Sequence, residues 1–450
     1  MSGSRRSRPP LPGGPYLVVG LARSGVAAAL ALRARGERVI GVDLGPASSP
    51  DLAAAAQRLS AAGVEVQLDA SDDALAAHVR TLIKSPGVPA RAPLVVAARA
   101  RGLHVLGELE LGWRLLENEF VAVTGTNGKT TTTEWIGHIH REAAVPVAVA
   151  GNVGTALTSL VGQLAEDVTV VCEASSFQLE DTEAFAPEVG VLLNLQPDHL
   201  DRHGTYGDYV AAKLRVFARQ GNHDVAVAPC QLGIEDLGGC ARRVCFGDQP
   251  DAELSAHAGQ LWWGEEALLP TTEISLPGEH NRANAMAAAA ACLARGIDRE
   301  AVASGLRSFP GVAHRLELIA EVEGVAYVND SKATNVASTL VALRSYAGGV
   351  HLIAGGRGKG QDFSPLAATV AERCTAVYLI GEAAADLAHG LAGADVPVLL
   401  SGDLESALRT AAAAVRPGDT VLFSPACASF DQYKDFEARG EHFRALVEGL

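Results

Sequence analysis

The chain has 450 residues, more than one hydrophobic core usually supports, so we expect about three domains. Apolar residues make up 48% and charged residues 20% of the sequence, a composition typical of a soluble globular protein. The net charge of −15 disfavours non-specific binding of nucleic acid. No apolar run reaches the length that spans a bilayer, so we expect no membrane segment.

The N-terminal residues 1–15 are rich in Ser, Arg, Pro and Gly and lack the apolar segment that a signal peptide needs. We predict a disordered tail in which Arg5, Arg6 and Arg8 are solvated. The seven cysteines are scattered, odd in number and without a C-x-x-C pair, which predicts a reducing cytoplasm. Cys240 and Cys245 have no second pair of ligands beside them, so ordinary packing is preferred to a metal site.

Residues 16–115 alternate strand-like and helix-like segments, and the turn Gly20-Leu-Ala-Arg-Ser-Gly25 lies between the first strand and an alanine-rich helix. The middle glycine of the dinucleotide fingerprint is replaced by Ala22, whose methyl group obstructs close approach of a pyrophosphate. We therefore favour a nucleotide-like ligand over NAD, and a purely structural turn remains the alternative. The residues predicted to hold this ligand are Arg23, Ser24 and Asp43.

The central unit, residues 116–311, begins with a strand, a glycine turn and a helix around Gly125-Thr-Asn-Gly-Lys-Thr130. The glycines let backbone N–H groups converge on a phosphate, Lys129 supplies a positive charge, and the Thr130 hydroxyl can ligate Mg²⁺. The common G-x-x-x-x-G-K-[ST] pattern would place its first glycine at Val123, so this loop is a shorter variant. A chance glycine turn is the alternative.

Further apolar runs of the central unit end in polar residues, which is typical of parallel strands whose carboxyl ends form one rim. Glu173 closes such a run, where P-loop enzymes place a Mg²⁺ carboxylate, and a helix-capping acid is the alternative. Lys213 lies in an amphipathic helix and by position alone is a solvated lysine. Asn281 and Asn284 share a helix face and can bind a base or a phosphate, whereas N-capping is the alternative for Asn281.

Residues 312–450 again alternate strands and helices, and four apolar runs end in polar or glycine turns. No phosphate loop is predicted here, because Gly355-Gly-Arg-Gly-Lys359 is not followed by Ser or Thr. The sequence thus predicts an α/β protein of three domains: a Rossmann-like N-terminal domain, a central P-loop ATPase-type domain with a parallel sheet, and a C-terminal Rossmann-like domain.

Together, these motifs resemble the Mur ligases over everything that follows the N-terminal tail. The motifs are Gly125-Thr-Asn-Gly-Lys-Thr-Thr131, Gly151-Asn-Val-Gly154, Glu173-Ala-Ser-Ser-Phe-Gln-Leu-Glu180, Asp198-His-Leu-Asp-Arg202, His280-Asn281, His314-Arg315, Asn329-Asp-Ser-Lys-Ala-Thr-Asn335 and Ser424-Pro-Ala-Cys-Ala-Ser429. The resemblance implies a cytoplasmic step of peptidoglycan synthesis, in which ATP converts a carboxylate to an acyl phosphate and an amine displaces the phosphate. The implied substrates are UDP-N-acetylmuramoyl-L-alanine and D-glutamate, and a monomer is expected.

The resemblance also implies site residues. Those for ATP are Gly125, Thr126, Asn127, Gly128, Lys129, Thr130, Thr131, Asn281, Asn284, Arg315 and Asp330. Those for the other substrates are Arg23, Ser24, Asp43, Gly87, Asn152, Ser175, His199, Lys332, Thr334, Lys359, Ser429 and Phe430. The implied catalytic residues are Lys129, Glu173, His199 and Lys213. One Mg²⁺ is expected at Thr130 and Glu173, and a second at His199 and a carbamylated Lys213, because two cations would offset the repulsion between a carboxylate and a phosphate.

Two other classes of protein stay open. A neighbouring amide ligase, such as a folylpolyglutamate synthase or a ligase that adds another residue to the cell-wall peptide, should lack the motifs at 329–335 and 424–429. A non-enzymatic P-loop switch would need neither a second Rossmann-like unit nor an equivalent of Lys213.

Overall fold

Continuous apolar runs form the strands of the first sheet, in a computed structural model that describes residues 7–70, 78–152, 154–358 and 360–450. The sheet is parallel, with the order β3-β2-β1-β4-β5. Its strands are β1 (Tyr16–Val19), β2 (Val39–Val42), β3 (Glu65–Gln67), β4 (Thr81–Lys84) and β5 (His104–Gly107). Its helices are α1 (Arg23–Ala34), α2 (Pro50–Ala61), α3 (Pro93–Ala100) and α4 (Glu108–Leu115). The direction of winding reverses between β1 and β4, which places a crevice at their carboxyl ends.

The central sheet has nine strands in the order β14-β13-β12-β11-β10-β9-β6-β8-β7. The strands are β6 (Phe120–Thr124), β7 (Val147–Gly151), β8 (Thr169–Glu173), β9 (Val189–Leu192), β10 (Val225–Pro229), β11 (Arg242–Gly247), β12 (Leu254–His257), β13 (Gln260–Trp263) and β14 (Glu266–Pro270). The helices are α5 (Lys129–Glu142), α6 (Ser176–Leu179), α7 (Leu200–His203), α8 (Tyr206–Leu214), α9 (Glu279–Ala294) and α10 (Arg299–Ser308). Strand β6 lies between β8 and β9, so the polar residues that follow these strands meet at one edge.

The predicted parallel central sheet is confirmed, with an antiparallel addition at one end. Strands β12, β13 and β14 pair antiparallel, and the connection between β12 and β13 is Ala258-Gly259. Both residues of this connection have positive φ, 51° and 74°, the geometry of the tight turn that joins antiparallel strands without splaying them. Ala258 is not a residue type that marks such a turn in a sequence, so the hairpin was not predicted.

The chain divides into two compact units, Met1–Pro310 and Gly311–Leu450, and the second contains the third sheet. This sheet has the order β15-β16-β20-β17-β18-β19 and is parallel except for the β15–β16 hairpin. Its strands are β15 (Glu317–Val322), β16 (Val325–Asn329), β17 (Val350–Gly355), β18 (Cys374–Ile380), β19 (Val398–Gly402) and β20 (Thr420–Phe423). Its helices are α11 (Val336–Arg344), α12 (Leu366–Arg373), α13 (Ala384–Gly390), α14 (Leu404–Ala412) and α15 (Phe436–Glu448). The predicted α/β class is confirmed, and β15 and β19 are additions to it.

The prediction that Arg8 is solvated is wrong, whereas Arg5 and Arg6 lie outside the described residues. The Arg8 side chain is 4% exposed and pairs with Glu188 at 3.0 Å. It also donates to the Asn118 carbonyl at 2.8 Å, and its guanidinium lies 4.5 Å from the centroid of the Trp113 ring. An aromatic face and a carboxylate together offset the cost of burying a guanidinium, which composition alone does not reveal.

The spacing of the cysteines had suggested that all of them are unpaired, but two of them form a disulfide. Cys230 and Cys245 form a disulfide with Cα atoms 5.0 Å apart, because β10 and β11 are neighbours and bring the two residues together. Cys240 is exposed and outside this pair. None of the helices formed by the described residues combines the length and the apolar character that crossing a bilayer requires.

Candidate active site

The loop between β6 and α5 has the predicted strand–turn–helix geometry of a phosphate-binding loop. Gly128 has φ of 84° and precedes the first residue of α5, Lys129. A Cβ atom added at Gly128 would overlap the side chain of Asn284, so the close approach of α9 requires glycine here. The first turn of α5 follows this glycine, and the N-terminus of a helix is a place where backbone N–H groups and the helix dipole favour an anion.

Asn194, which follows β9, holds this loop in shape. Its side-chain oxygen accepts a hydrogen bond from the Asn127 N–H at 2.9 Å, and its side-chain nitrogen donates to the Asn127 carbonyl at 3.1 Å. Its own carbonyl accepts the Thr126 N–H at 3.1 Å, and the Thr126 hydroxyl lies 2.9 Å from the hydroxyl of Tyr209. Asn194 and Tyr209 were not among the predicted site residues, although a polar amide shortly after a buried strand beside the loop was a usable signal.

Lys129 folds back over the loop that precedes it. Its ammonium donates to the carbonyl oxygens of Gly125 at 3.0 Å and Thr126 at 2.9 Å. These contacts hold a positive charge at the glycine turn, beside the N-terminus of α5. A positive charge and a helix N-terminus in one place favour the binding of an anion.

Glu173 and Thr130 meet beside the loop because β8 is the neighbour of β6, with Val123 opposite Glu173 in the register. The Thr130 hydroxyl donates to the buried Glu173 carboxylate at 2.7 Å, and the Asn152 amide donates to its other oxygen at 3.1 Å. Hydroxyl and carboxylate oxygens are the ligands that Mg²⁺ prefers, so this pair fits the expected cation. Among the described residues, no group of three or more His, Cys, Asp and Glu side chains could hold a metal ion, so further ligands must come from elsewhere.

Lys213 is buried, so its interpretation as a solvated lysine is wrong. Its ammonium is directed into the site by α8 and donates to the Gly125 carbonyl at 2.7 Å. It lies 4.6 Å from the centroid of the Tyr209 ring. Burial, with the nearby charge of Lys129, lowers the pKa of Lys213 to about 7. A large fraction of this amine is therefore neutral near neutral pH.

His199 lies at the start of α7 with φ of 53°, in the left-handed region that non-glycine residues rarely adopt. Its imidazole is half exposed, is 3.4 Å from the Asp198 carboxylate and is tilted against the Phe177 ring at 4.9 Å between centroids. Burial lowers the pKa of the neighbouring His203, and the charges of His199 and Lys213 lower it further. The charges of His199 and Lys213 thus both affect the pKa of His203.

Two other predicted residues of this unit already have structural partners, and a third is buried. Ser175 caps α6, accepting the Gln178 N–H in a capping box. Asn281 lies in the first turn of α9, where its amide donates to the Pro277 carbonyl at 2.8 Å, and the cap position is Gly278, so the N-capping alternative is wrong. Thr131, in the first turn of α5, is buried.

A cavity of about 790 Å³ adjoins the phosphate loop at the carboxyl ends of β9, β10 and β11. Asn194 lines it together with apolar side chains such as Ile234 and Phe246 and the charged Arg282. Its position follows the rule that ligands of open α/β sheets bind outside the carboxyl ends of the strands.

The glycine turn of the first sheet is braced by its own side chains. The Asp43 carboxylate accepts the N–H groups of Leu21 at 2.7 Å and Gly45 at 2.8 Å. The Ser85 hydroxyl, after β4, donates to the Gly20 carbonyl at 2.7 Å. Asp43 therefore has a structural role in the turn, whereas Arg23 is exposed, Ser24 is half-buried, and a Cβ added at Gly87 would meet open space.

In the second unit, Asp330 is the most strongly perturbed of the predicted residues. It accepts the Ser424 hydroxyl at 2.7 Å and the Leu316 N–H at 3.2 Å. Burial raises the pKa of Asp330 to about 7, although the hydrogen bond from Ser424 and the charge of the exposed Arg315 oppose this shift. Desolvation thus outweighs the favourable contacts here.

The other predicted residues of the second unit lie on its loops. Ser429 is 2% exposed and Phe430 is 61% exposed, while Lys332 and Thr334 are half-buried. Ser429 does not cap α15, because that helix begins at Phe436 and is capped by Asp435. Lys359, predicted to pair with a carboxylate of D-glutamate, lies outside the described residues.

Family models match two parts of the chain: Mur ligase middle domain at residues 123–292, and Mur ligase, glutamate ligase domain at residues 314–427. The UDP-N-acetylmuramoylalanine--D-glutamate ligase of Pelotomaculum thermopropionicum is 42% identical, over 96% of this chain and 97% of the relative. The protein of the same name from Acidobacterium capsulatum is 41% identical, over 97% of this chain and 96% of the relative.

Solved structures share the fold at lower identity. The UDP-N-acetylmuramate-alanine ligase of Thermotoga maritima superimposes with a TM-score of 0.59 at 18% identity, covering 96% of this chain and 99% of that one. A D-alanyl-D-alanyl ligase of Acinetobacter baumannii also gives 0.59, at 16% identity, covering 96% and 93%. The identity of the relatives over almost the whole length, together with the phosphate loop and its partners, leads to one conclusion: the chain belongs to the Mur ligase family.

Proposed function

We propose that this chain joins D-glutamate to UDP-N-acetylmuramoyl-L-alanine at the expense of ATP, through an acyl phosphate. The observation that carries the proposal is the meeting of Lys129, Lys213 and the Thr130–Glu173 pair at one sheet edge. It occurs in a chain that is 42% identical to a relative named for that reaction. The geometry supports phosphoryl transfer, and the identity supports the choice of substrates.

In the first step, the chain orients the terminal phosphate of ATP. We propose that the N–H groups at the start of α5 and the Lys129 ammonium, which lies beside them, bind its oxygens and stabilise the charge that develops on transfer. We propose that Gly125, Thr126, Asn127, Gly128, Thr130 and Thr131 line this part of the site. The cavity beside Asn194, with Asn281 and Asn284 near it on α9, offers space for the nucleoside.

Mg²⁺, when bound, supplies positive charge that lowers the repulsion between the attacking carboxylate and the phosphate. Thr130 and Glu173 would hold one ion with their oxygens, and His199 with Lys213 would hold the other. Lys213 fits that role as a carbamate rather than as an ammonium. Its neutral amine attacks the carbon of CO₂, a proton leaves the nitrogen, and the product has a carboxylate-like group and one remaining N–H.

The pKa of Lys213, about 7, supports this modification, because an ordinary lysine is almost wholly protonated at neutral pH and unreactive. The remaining N–H of the carbamate still donates to the Gly125 carbonyl, so the modification keeps the contact. The negative group would also remove the repulsion between two cationic lysines.

The amine of D-glutamate then attacks the acyl carbon, and phosphate leaves as the amide forms. We propose that the residues of the second unit, Lys332, Thr334, Lys359, Ser429 and Phe430, bind the amino acid. Arg315 and Asp330 are proposed to contact ATP, while Arg23, Ser24, Asp43, Gly87, Asn152, Ser175 and His199 are proposed to contact the UDP-linked substrate. The same proposal includes three further points. The chain has domains at 16–115, 116–311 and 312–450. The enzyme is a monomer and is located in the cytoplasm, where both nucleotide substrates are made.

The test is phosphate release measured with each substrate omitted in turn. Release should require ATP, UDP-N-acetylmuramoyl-L-alanine and D-glutamate together, and amide should form in equal amount. L-Glutamate, D-alanine and a folate substrate serve as controls for the neighbouring amide ligases. Phosphate release that needs neither an acyl acceptor nor an amino acid, or faster turnover with a control, would reject the proposal.

A further inference from the structure

We infer that Arg202 is a positioning residue that ties the loop after β4, Ser85–Val88, to the segment that carries His199. The inference rests on the proposed function, because it concerns how the UDP-linked substrate and the reacting groups are held in fixed positions relative to each other. Arg202 lies on α7, three residues after His199, and none of the roles proposed above uses it. All its contacts described below lie within the first compact unit.

The Arg202 guanidinium reaches from the central sheet to the loop of the first sheet. One of its nitrogens donates to the Pro86 carbonyl at 3.2 Å and approaches the Val88 carbonyl at 3.5 Å. The same nitrogen is 3.5 Å from the Glu180 carboxylate. The side chain is 21% exposed, so these contacts are partly shielded from water. A single terminal nitrogen thus lies between two carbonyls and a carboxylate, which leaves the face of the planar group for a contact with an aromatic ring.

A buried ion pair holds the same loop from beneath. The Lys84 ammonium, at the end of β4, donates to the Val88 carbonyl at 2.9 Å and pairs with Asp181 at 2.7 Å. Lys84 and Asp181 are 0% and 1% exposed, so this pair forms a fixed base for the loop. Arg202 and Lys84 therefore converge on one carbonyl, that of Val88, while open space lies beyond Gly87. The loop is fixed on its inner side and accessible on the side where a ligand would lie.

On its other side, Arg202 is stacked on Phe177. The guanidinium carbon lies 3.7 Å from the centroid of the Phe177 ring. That ring is also in contact with His199, at 4.9 Å between centroids, and with His203, at 5.2 Å. Moving the guanidinium would therefore move the ring against which His199 is packed. Because His199 already has a strained backbone, its position depends on these surrounding contacts.

An arginine is retained here although one of its donors, Nε, is buried without a hydrogen-bond partner. Leaving a buried donor unsatisfied is unfavourable, so the position of the group is set by the stacking and the carbonyl contacts rather than by full hydrogen bonding. Lysine would keep the charge but cannot stack flat on Phe177 while it donates to the loop carbonyls. Arg202→Lys is consequently the discriminating variant.

The expected result for Arg202→Lys is a fall in kcat of about ten- to a hundredfold, since small misplacements of reacting groups have effects of this size. KM for the UDP-linked substrate should rise, whereas KM for ATP should stay unchanged, because the phosphate loop is held by Asn194 and not by Arg202. Binding of the UDP-linked substrate to the nucleotide-free protein, measured by calorimetry, should weaken in the same variant. Phe177→Leu should lower kcat as well, and the double variant should lose less than the product of the two single effects.

The matched control is Arg219→Lys, at another arginine of this unit, whose Nε donates to a main-chain carbonyl, that of Glu183. It should leave kcat and every KM unchanged. Wild-type kcat and wild-type calorimetric affinity in Arg202→Lys would overturn the inference, whether or not its Tm is lower. Failure of the proposed function can be told apart from failure of this inference. In the first case the wild-type protein would form no amide, whereas the calorimetric comparison of wild type with Arg202→Lys could still be made.

Discussion

The ammonium groups of Lys213 and Lys129 donate to the same atom, the carbonyl oxygen of Gly125, at 2.7 and 3.0 Å. The residues are far apart in the sequence, and the pairing arises because α8 crosses the edge of the sheet beside the phosphate loop. Burial, and after it the repulsion from the charge of Lys129, lowers the pKa of Lys213 to about 7. The contact therefore favours a neutral or modified Lys213.

Lys213→Ala should lower kcat by about 10²-fold or more, the size of effect seen when a group that stabilises developing charge is removed. Lys213→Arg should be no better, because a guanidinium stays cationic and does not react with CO₂. Small carboxylates such as acetate should restore part of the activity of Lys213→Ala. Full activity of Lys213→Arg, or of the wild-type enzyme in buffer freed of CO₂ after prolonged dialysis, would contradict the carbamate.

Lys129→Ala should lower phosphate release by about 10²-fold or more, because it removes the charge above the glycine turn. The fold should persist, since the contacts of the Lys129 ammonium with Gly125 and Thr126 lie within the loop, and β6 pairs with β8 and β9 through its backbone. Circular dichroism and Tm check the fold, and Arg141→Ala, on the exposed side of α5, is the matched control. Near-normal turnover in Lys129→Ala would exclude its role at the phosphate.

Gly25→Ala should destabilise the protein by about 1–3 kcal/mol, the usual cost of forcing an extra group into a packed site. A Cβ atom at Gly25 would overlap the Gly20 carbonyl oxygen and lie 2.8 Å from the Ser85 hydroxyl. The same displacement should weaken binding of the UDP-linked substrate in calorimetry. Gly13→Ala is the control, because a Cβ atom there meets nothing within 4 Å. An unchanged denaturation midpoint for Gly25→Ala would show that the turn is not constrained as the structure indicates.

Asp330 should make stability depend on pH between about 4 and 7. Its pKa in the fold, about 7, lies above the ordinary value of 3.8, so the folded protein binds the extra proton in this range. The stabilising contribution is therefore present below pH 4 and is lost as pH rises through 7, by about 4 kcal/mol at most. Denaturant unfolding of the full chain should show this slope in the difference between wild type and Asp330→Asn.

Other titrating groups, including buried histidines of the second unit, contribute equally to both proteins and cancel in that difference. Asp395→Asn, at an exposed aspartate of the same unit, is the control and should give no pH-dependent difference. Parallel pH curves for wild type and Asp330→Asn would show that Asp330 is not the group responsible.

Local patterns in the sequence were sufficient for the parts of the fold that depend on near neighbours. The glycine turn, the strand before it and α5 follow from residues within a short segment, because a phosphate loop needs glycine, lysine and threonine at set spacing. The positions of Glu173 and Asn194 at strand ends were also readable, since buried parallel strands are apolar throughout and end in polar residues.

Contacts between distant segments were decided only by the tertiary structure. Four features depend on residues that are far apart in the sequence, so no local pattern of helix or strand predicts them. They are the burial of Lys213, the hydrogen bonds of Asn194 to the loop, the contact of Arg8 with Trp113 and the bridge made by Arg202. Whether a lysine or an arginine is solvated depends on which strands become neighbours and which side chains they bring together. A charged residue looks the same in a helix pattern whether it faces water or a carbonyl, because its burial is a property of the neighbours that the fold provides.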